Sequence, residues 1–414
     1  MTPFPAVSTA PVTGVGPRAA RALTAEFARH NAATTALVIG ADHASAVVAA
    51  AVEALLPGDT LTLAAGERST ADLLRDHIAG LGSWIADRVR IVESLAEADP
   101  ADVVILGEPL TGTAEETRAV LEGLTKYLRE GAVVSVATPA VPGRTGGAAA
   151  ELFRQSALFG VGSDLVARNQ PPLRVHKLRF TQADPKVAAT LAPAFRPSSV
   201  PVTRTMHIDS NGVAAAGIAL GLAALARAAR PKSRLWLLPA LAAAPVAAFF
   251  RDPERDIPTD QRAVVAASDG RVLSVERLTD ERLGAGEFLR IAVFLSVLDV
   301  HVNRIPVAGR VADYFVIDGG YANAMTAAAE HNVAAYTILD TEHGTVVVAQ
   351  RTGLIARRIV QRTPVGTLVA RGERMGLIRF GSRTDVYLPA EKAEPTVAVG
   401  EKVIGASTTI ARWK

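Results

Sequence analysis

The sequence Gly376-Leu377-Ile378-Arg379-Phe380-Gly381-Ser382-Arg383 joins an apolar run to a Gly-Ser pair that lies between two arginines. A Gly-Ser pair after such a run most often forms a turn between two strands. It also permits a reaction within the chain, because the Ser382 hydroxyl can reach the Gly381 carbonyl through a five-membered ring. That attack requires backbone strain and a nearby base, so the stretch by itself leaves the turn and the reaction as alternatives.

The region around this stretch, residues 251–414, contains many short apolar or alternating runs that are broken by glycine and proline. Runs of this kind are typical of strands, and so many of them with so little helix predict a compact β-barrel or β-sandwich. The runs are residues 263–267, 288–294, 310–315, 335–339, 345–349, 354–360, 374–378 and 396–399.

Two apolar runs without charged residues, 210–226 and 235–250, precede the β-rich region, and the segment between them carries three arginines and one lysine. Each run is shorter than the ~20 residues of a spanning helix, and two buried core helices are the alternative interpretation. The basic tip suits anionic lipid headgroups, and full spanning would place it on the far side of the membrane from both flanking domains. We therefore expect an apolar helical hairpin that dips into or lies on the cytoplasmic leaflet.

The N-terminal part of the chain alternates continuous apolar runs with helical patterns. Predicted strands are residues 35–40, 60–64, 89–92, 102–106 and 132–136, and predicted helices are residues 44–56, 70–81 and 114–128. Buried strands joined by helical crossovers predict a doubly wound, Rossmann-like α/β domain.

The order of these parts resembles the methyltransferase fold. A cofactor loop of that fold carries several glycines, yet residues 38–44 offer only Gly40. Glu67 is a candidate ribose ligand, with a solvated loop glutamate as the alternative. We expect a degenerate domain that does not bind the cofactor.

The chain thus divides into four predicted parts, in the fold class α/β plus mainly β. Residues 1–167 form the Rossmann-like domain, and the proline-rich, basic residues 168–209 form a linker or an extension. Residues 210–250 form the apolar hairpin, and residues 251–414 form the β-rich domain.

Composition excludes several classes of function. The 414 residues suit two or three domains, and the net charge of +3 without a basic stripe argues against nucleic-acid binding. The absence of cysteine excludes disulfides, thiolate metal sites and cysteine nucleophiles. The first thirty residues show no basic segment leading into an apolar one, so we expect no secretory signal and a cytoplasmic N-terminus.

Two polar residues of the β-rich region are candidates for proton transfer. Asp269 precedes Gly270 at the end of an apolar run, where a turn-forming Asp-Gly pair is the alternative. His301 alternates with Asp299 and Asn303 among aliphatic residues, so we expect all three on one face of a strand. An unperturbed histidine titrates near neutral pH, which suits a general acid or base, whereas a buried structural histidine is the alternative.

Five blocks, in one order from the end of the hairpin to near the C-terminus, resemble the short-form phosphatidylserine decarboxylases. They are residues 249–255 (FFRDPER), 267–270 (ASDG), 294–309 (FLSVLDVHVNRIPVAG), 353–360 (GLIARRIV) and 376–385 (GLIRFGSRTD). The resemblance implies that Ser382 attacks the Gly381 carbonyl and that the resulting ester becomes a pyruvoyl group at the start of a short chain. The pyruvoyl ketone condenses with the amine of phosphatidylserine and takes up the electrons released with carbon dioxide, giving phosphatidylethanolamine.

The resemblance also implies roles for single residues. Asp269 takes the place of the family's relay aspartate, and His301 takes that of a histidine of the decarboxylation step. No metal is implied. Arg304 stands where longer members carry a second histidine used in self-cleavage, so the base that activates Ser382 is left open. A nearby block departs as well, because residues 329–332 keep the family's glutamate but replace its arginine by His331.

Four arginines are candidate substrate ligands. Arg357 and Arg358 suit a phosphodiester or a carboxylate through paired hydrogen bonds, although neighbours on a strand face opposite ways and one of the two is then solvated. Arg379 and Arg383 flank the cleavage bond, where they bind the substrate carboxylate or hold the turn.

Taken together, the resemblance implies a self-processing, pyruvoyl-dependent decarboxylase on the cytoplasmic face of the cell membrane, either peripheral or anchored by the hairpin. Its expected partners are phosphatidylserine in the membrane and its own cleaved large and small chains, with no nucleic acid and with a homo-oligomer left open. Two alternatives remain: a bifunctional lipid enzyme whose N-terminal domain also methylates the product, and a non-catalytic membrane scaffold of the same fold.

Overall fold

The computed structural model describes residues 14–140, 147–194, 199–284, 286–354, 358–378 and 382–414. The chain forms two compact units. The first comprises Met1–Pro197 and Gly366–Leu368, and the second comprises Ser198–Val365 and Val369–Lys414.

The first unit is an α/β fold with a seven-stranded sheet in the order β3-β2-β1-β4-β5-β7-β6. Its helices and strands are α1 (Pro17–Ala28), β1 (Thr35–Ile39), α2 (Ala46–Glu53), β2 (Thr60–Ala64), α3 (Arg68–Gly80), α4 (Ser83–Ala86), β3 (Val89–Val92), β4 (Ala101–Leu106), α5 (Ala114–Leu124), β5 (Leu128–Pro139), α6 (Gly147–Phe159), β6 (Gly160–Val166) and β7 (Leu173–Leu178).

Strands β1 to β5 are parallel to one another, and β7 runs antiparallel to β5 and β6. Successive residues of β1 enter two different hydrophobic cores, since Ala36 and Val38 pack on one face of the sheet and Leu37 packs on the other. A sheet buried on both faces explains the continuous apolar runs of the sequence. The predicted Rossmann-like sheet in the N-terminal part is confirmed.

Strand β7 lies in the segment that the sequence assigned to a linker or extension. Leu173 and Val175 enter one core of the first unit and Leu178 enters the other, although the polar residues His176 and Lys177 stand between them. The strand therefore belongs to the sheet, and this unit continues beyond residue 167.

The second unit is mainly β. Its elements are β8 (Val200–Pro201), β9 (Met206–Ile208), α7 (Ser210–Ala229), α8 (Leu237–Phe249), β10 (Arg251–Pro253), β11 (Ala263–Val265), β12 (Gly270–Thr279), β13 (Glu287–Leu295), β14 (Val302–Arg304), β15 (Gly309–Ile317), β16 (Ala334–Thr341), β17 (Gly344–Arg351), β18 (Ile359–Gln361), β19 (Leu368–Val369), β20 (Arg374–Ile378), β21 (Ser382–Pro389), β22 (Ala393–Pro395), β23 (Lys402–Val403) and β24 (Thr409–Trp413).

The largest sheet of this unit has the order β19-β15-β16-β17-β21-β13-β12-β23, and three-stranded sheets are formed by β10-β9-β8, β11-β24-β22 and β14-β20-β18. Strand β21 lies in the middle of the largest sheet, antiparallel to β13 on one side and to β17 on the other. The predicted β-rich character of the C-terminal part is confirmed.

The two faces of β21 have different environments because side chains alternate along a strand. Val386 and Leu388 enter the main hydrophobic core of the unit, and Tyr387 enters a smaller core on the opposite face. Ser382 and Thr384 have the same parity as Val386 and share its side of the strand. We call this side the Ser382 face.

Helices α7 and α8 contain the two apolar runs. Helix α7 spans 20 residues with a mean hydropathy of 1.7, and only 11% of its apolar window is buried, so it is long and apolar enough to cross a membrane. The uncharged run 210–226 predicted a helix shorter than a membrane span, but the helix continues through Arg227 and ends at Ala229. At its first turn, Gly212 lies so close to Phe250 that a Cβ on this glycine would be 2.5 Å from the Phe250 Cβ atom.

Candidate functional site

Ser382 is the first residue of β21 and lies opposite Leu295 of β13. It is fully buried, and its Oγ atom has no hydrogen-bond partner within the part of the chain that the structure describes. Two residues further on, Thr384 Oγ1 lies 2.6 Å from Ser268 Oγ. Gly381, the other half of the predicted cleavage bond, lies outside the described residues.

Asp269 lies in the loop between β11 and β12, beside the end of β13. Gly270 makes this position possible, since its φ is +149° and a Cβ there would be 2.1 Å from the Phe294 carbonyl oxygen. The Asp269 carboxylate accepts two hydrogen bonds of 2.8 Å from Arg255 and one of 2.8 Å from the Gly405 backbone N–H. The aspartate is therefore held as a fixed negative charge.

His301 lies in the segment before β14 and is 1% exposed. Its Nδ1 atom is 2.8 Å from the Asp299 carbonyl oxygen. Because a carbonyl can only accept a hydrogen bond, Nδ1 carries the proton and Nε2 keeps a free electron pair. The Nε2 atom is buried and has no partner among the described residues.

The protonation state of His301 follows from its surroundings. Burial lowers the pKa of His301 to about 4, although the Asp299 carbonyl and nearby carboxylates act in the opposite direction. The Phe249 ring packs against the imidazole with a centroid separation of 4.3 Å. At neutral pH the side chain is therefore an uncharged base with a free Nε2.

The prediction that Asp299 shares a strand face with His301 is wrong. Asp299 lies in a turn, where its carboxylate accepts hydrogen bonds from the Ser296 backbone N–H at 2.8 Å and the Ser296 hydroxyl at 2.7 Å. Its side chain closes this turn. Its backbone carbonyl is the group that orients His301.

Arg304 is buried and forms an ion pair with Asp252. It donates to Asp252 at 2.6 Å, to the Pro253 carbonyl at 3.0 Å and to the Gly372 carbonyl at 3.3 Å. Arg374 binds the other oxygen of Asp252. Burial lowers the pKa of Arg304 to about 10, so the side chain remains a cation at neutral pH and cannot serve as a base.

Asn303 and Gln350 form a buried pair that the sequence prediction did not assign to a site. Gln350 Nε2 donates to Asn303 Oδ1 at 2.6 Å, and both residues are 0% exposed. Gln350 pairs with Thr384 across β17 and β21, which places it beside the Ser382 face. The available signal in the sequence was a single amide at the end of the apolar run 346–349.

The structure does not bring Arg383 to Ser382. Arg383 lies on the opposite face of β21, where it is buried and donates to Asp385 at 2.6 and 3.0 Å and to Glu330 at 2.9 Å. Arg358 is exposed. Arg357 and Arg379 lie outside the described residues.

The remaining candidate ligands are the Glu67 carboxylate and any cluster of side chains that could hold a metal ion. Glu67 is exposed at the residue before α3. Among the described residues, no group of three or more histidine, aspartate or glutamate side chains is arranged to hold a metal ion. The β-rich unit instead contains a buried hydroxyl at Ser382, a neutral imidazole, a paired carboxylate and a buried amide pair, which are groups suited to nucleophilic attack and proton transfer.

Comparison with known proteins identifies relatives of the C-terminal part. The sequence profile described as phosphatidylserine decarboxylase matches residues 243–411. A phosphatidylserine decarboxylase proenzyme of Erythrobacter litoralis is 41% identical over 181 residues, which cover 40% of this chain and 72% of that protein. One of Nitratidesulfovibrio vulgaris is 46% identical over 166 residues, which cover 40% of this chain and 76% of that protein.

Among solved structures, an O-methyltransferase from Bacillus cereus is 16% identical and covers 42% of this chain and 84% of its own, with a TM-score of 0.29. A score this low carries no argument. The Rossmann-like arrangement of the first unit rests on its strand order.

Proposed function

Because this chain belongs to the phosphatidylserine decarboxylase family, we propose that it cuts itself between Gly381 and Ser382 and uses the pyruvoyl group so formed to decarboxylate its substrate. The chain is a decarboxylase that converts phosphatidylserine to phosphatidylethanolamine and carbon dioxide, and it is made as a proenzyme that is processed into two chains. Processing at Ser382, the pyruvoyl group and the roles of single residues are the proposal.

The observation that carries the proposal is the buried, unpartnered Ser382 hydroxyl on the same β-rich unit as a neutral histidine with a free Nε2 atom. A buried hydroxyl or imidazole nitrogen without a partner is costly in a folded protein, so such atoms mark places where a reaction or a ligand supplies the missing contact. They fit a prosthetic group that is built from Ser382 itself.

In the proposed self-cleavage, Ser382 Oγ attacks the Gly381 carbonyl carbon, and the C–N bond breaks to leave an ester. A base then removes the Ser382 Cα proton, and the Gly381 carboxylate leaves as the Cβ–O bond breaks. Water releases the nitrogen as ammonia and leaves a pyruvoyl group on the short chain. The long chain ends at Gly381.

His301 is the residue that we assign to proton transfer. Its Nε2 lone pair is available at neutral pH because burial keeps the imidazole neutral and the Asp299 carbonyl fixes the tautomer. Asp269 is a fixed anion in the same unit and favours a cationic imidazole when His301 takes up a proton. A pyruvoyl group supplies the ketone that binds the substrate amine and accepts the electron pair as carbon dioxide leaves.

The four arginines are assigned as follows. Arg357, Arg358 and Arg379 stay proposed ligands of the substrate phosphodiester or carboxylate. Arg383 is instead proposed to anchor the start of the short chain, since it is paired with Asp385 and Glu330 on the face opposite Ser382.

We also propose that helices α7 and α8 bind the cytoplasmic leaflet. Their outward side chains include Leu225, Leu238 and Leu241, which are each 68–70% exposed, and a basic tip follows α7. At the base of these helices, Phe249 and Phe250 pack with Leu377, and Phe249 contacts His301. A lipid held along the hairpin would therefore have its headgroup near the imidazole.

The two alternatives are less well supported. A methylating N-terminal domain would need a cofactor loop with several glycines, and residues 38–44 offer only Gly40. A scaffold without activity would be expected to lose the Gly-Ser pair or the histidine, and the sequence retains both.

Intact-mass analysis of purified protein tests the proposal. We expect two chains that separate at Gly381-Ser382, with a borohydride-reducible group on the shorter one. Ser382→Ala should leave one inactive chain, whereas Ser69→Ala, at an exposed serine of α3, should be processed normally. A single full-length species in an active preparation would refute the mechanism.

A further inference from the structure

Four buried polar atoms without a partner lie in one part of the second unit. Nine such side-chain atoms occur among the described residues of the whole chain, and four of them are His301 Nε2, Asn303 Nδ2, Gln350 Oε1 and Ser382 Oγ. Native proteins leave few buried polar atoms unpaired, so their concentration here indicates a site prepared for a ligand. The catalytic proposal uses His301 and Ser382 and leaves the two amides unexplained.

The strand register places Gln350 near Ser382, and a hydrogen bond joins Asn303 to Gln350. Gln350 is directly opposite Thr384, which is two residues from Ser382 on the same face of β21. The spacing of neighbouring strands and the rise along a strand put the Gln350 and Ser382 Cα atoms about 8 Å apart. A glutamine side chain spans much of that distance, and Gln350 reaches Asn303, two residues beyond His301.

The chemistry of the pair defines what it can bind. Gln350 Nε2 donates to Asn303 Oδ1, which leaves the NH2 group of Asn303, with its two N–H donors, and the carbonyl oxygen of Gln350 without a partner among the described residues. If the oxygen and nitrogen atoms of both amides exchanged places, Asn303 would present the free acceptor and Gln350 the free donor. The pair would therefore still offer one donor group and one acceptor. A ligand that fits must offer an acceptor and a donor close together, as the carboxylate and the amine of an amino-acid headgroup do.

We propose that Asn303 and Gln350 form the site that holds the serine headgroup of the substrate, with the Asn303 N–H donating to the headgroup carboxylate and the Gln350 carbonyl accepting from its amine. This inference rests on the proposed function and adds the residues that recognise the headgroup. Asn303 is an uncharged donor, so its contact orients the carboxylate without the strong charge stabilisation that an arginine would give. In this arrangement the proposed arginine ligands are left to bind the phosphodiester. Once carbon dioxide has left, the Asn303 contact has no acceptor, and the product binds less well than the substrate.

Asn303→Asp tests the inference because it keeps the oxygen that accepts from Gln350 and replaces the free N–H by an oxygen. We expect the KM for phosphatidylserine to rise at least tenfold, whereas the inhibition constant of phosphatidylethanolamine changes less than threefold. Asn303→Leu removes the donor without adding charge and should shift the same ratio about tenfold. Gln261→Glu, at an exposed glutamine, controls for the added charge.

Maturation is measured on the same samples by intact mass. Two chains with a changed ratio of substrate to product affinity support the inference. Equal changes for both lipids, no change, or folded variants that fail to mature would overturn it, since the amides would then serve packing or self-cleavage. A wild-type protein that matures without decarboxylating phosphatidylserine would instead refute the proposed function.

Discussion

Asp385→Asn should destabilise the β-rich unit far more than the loss of one surface ion pair would. Asp385 is fully buried, and it accepts hydrogen bonds from Arg383 at 2.6 and 3.0 Å and from Arg351 at 2.8 Å. Burial alone would raise the pKa of Asp385, but Arg383 and Arg351 outweigh it and hold the pKa below its ordinary value. The carboxylate is therefore the fully buried charge that pairs with both cations, and Glu330, which is 32% exposed, supplies a second, more exposed partner to each.

The magnitude follows from this arrangement. Removing one partner of a buried ion pair costs about 3–5 kcal/mol, because an unpaired charge stays behind. With an m-value of about 2 kcal/mol per molar urea, the unfolding midpoint should fall by about 2 M. The control is Asp340→Asn, which removes the partner of Arg310 in a pair whose carboxylate is 37% exposed. An exposed pair contributes about 0.2–1 kcal/mol, so the control should shift the midpoint by no more than about 0.5 M.

The assay uses urea unfolding of the uncleaved Ser382→Ala protein. Trp413 is buried in the β-rich unit, and replacing Trp84 and Trp236 by phenylalanine makes its fluorescence report on that unit alone. Because the folded-state pKa of Asp385 is lowered, its contribution is present above its unfolded pKa of about 3.9 and is lost as the pH falls through the folded value. A midpoint shift equal to that of Asp340→Asn, or one independent of pH in the acidic range, would refute the reasoning.

Three further predictions concern His301, its aromatic neighbour and the hairpin. Because burial lowers the pKa of His301 to about 4, kcat/KM should hold below neutral pH and fall only as the pH approaches 4, which a pH profile measures. Phe249→Ala should admit water, raise that pKa toward about 6.5 and move the acidic limb upward, and an unmoved limb would contradict the role of packing. Replacing Leu238 and Leu241 by glutamate should abolish sedimentation with anionic vesicles and preserve turnover of detergent-dispersed lipid, whereas Val399→Glu, at another exposed apolar residue, should sediment normally.

Strands β1 and β4 of the first unit could be predicted from sequence because they are buried along most of their length and are therefore mainly apolar. Strand β7 could not, since Arg174, His176 and Lys177 interrupt its apolar residues. The polar side chains are accommodated by tertiary contacts: His176 Nδ1 lies 2.7 Å from the Ser156 hydroxyl, and Lys177 pairs with Asp164 at 3.5 Å. Such contacts join distant parts of the chain and leave no local pattern.

The same limit applies to the candidate site. The alternation of polar and apolar residues along 299–303 pointed to His301 and placed Asp299 on the same strand face. The Asp299 carboxylate instead accepts hydrogen bonds from Ser296, three residues earlier, and so belongs to a local turn. Gln350 and Asn303 are 47 residues apart in sequence, and only the sheet register brings them together. Sequence reasoning thus finds chemically unusual residues and misses the pairs that the fold creates.

The remaining question is what activates Ser382 when Arg304 occupies the position of a second histidine. The polar side chains of residues 301–304, which lie before and within β14, fall into two groups. His301 and Asn303 leave buried atoms unpartnered, whereas Arg304 is bound to Asp252, which also binds Arg374 of the neighbouring strand β20. This ion pair ties the segment to the neighbouring strands and fixes the backbone that presents the imidazole. Its charge at neutral pH excludes Arg304 as that base, and we propose that it acts instead by fixing the position of His301.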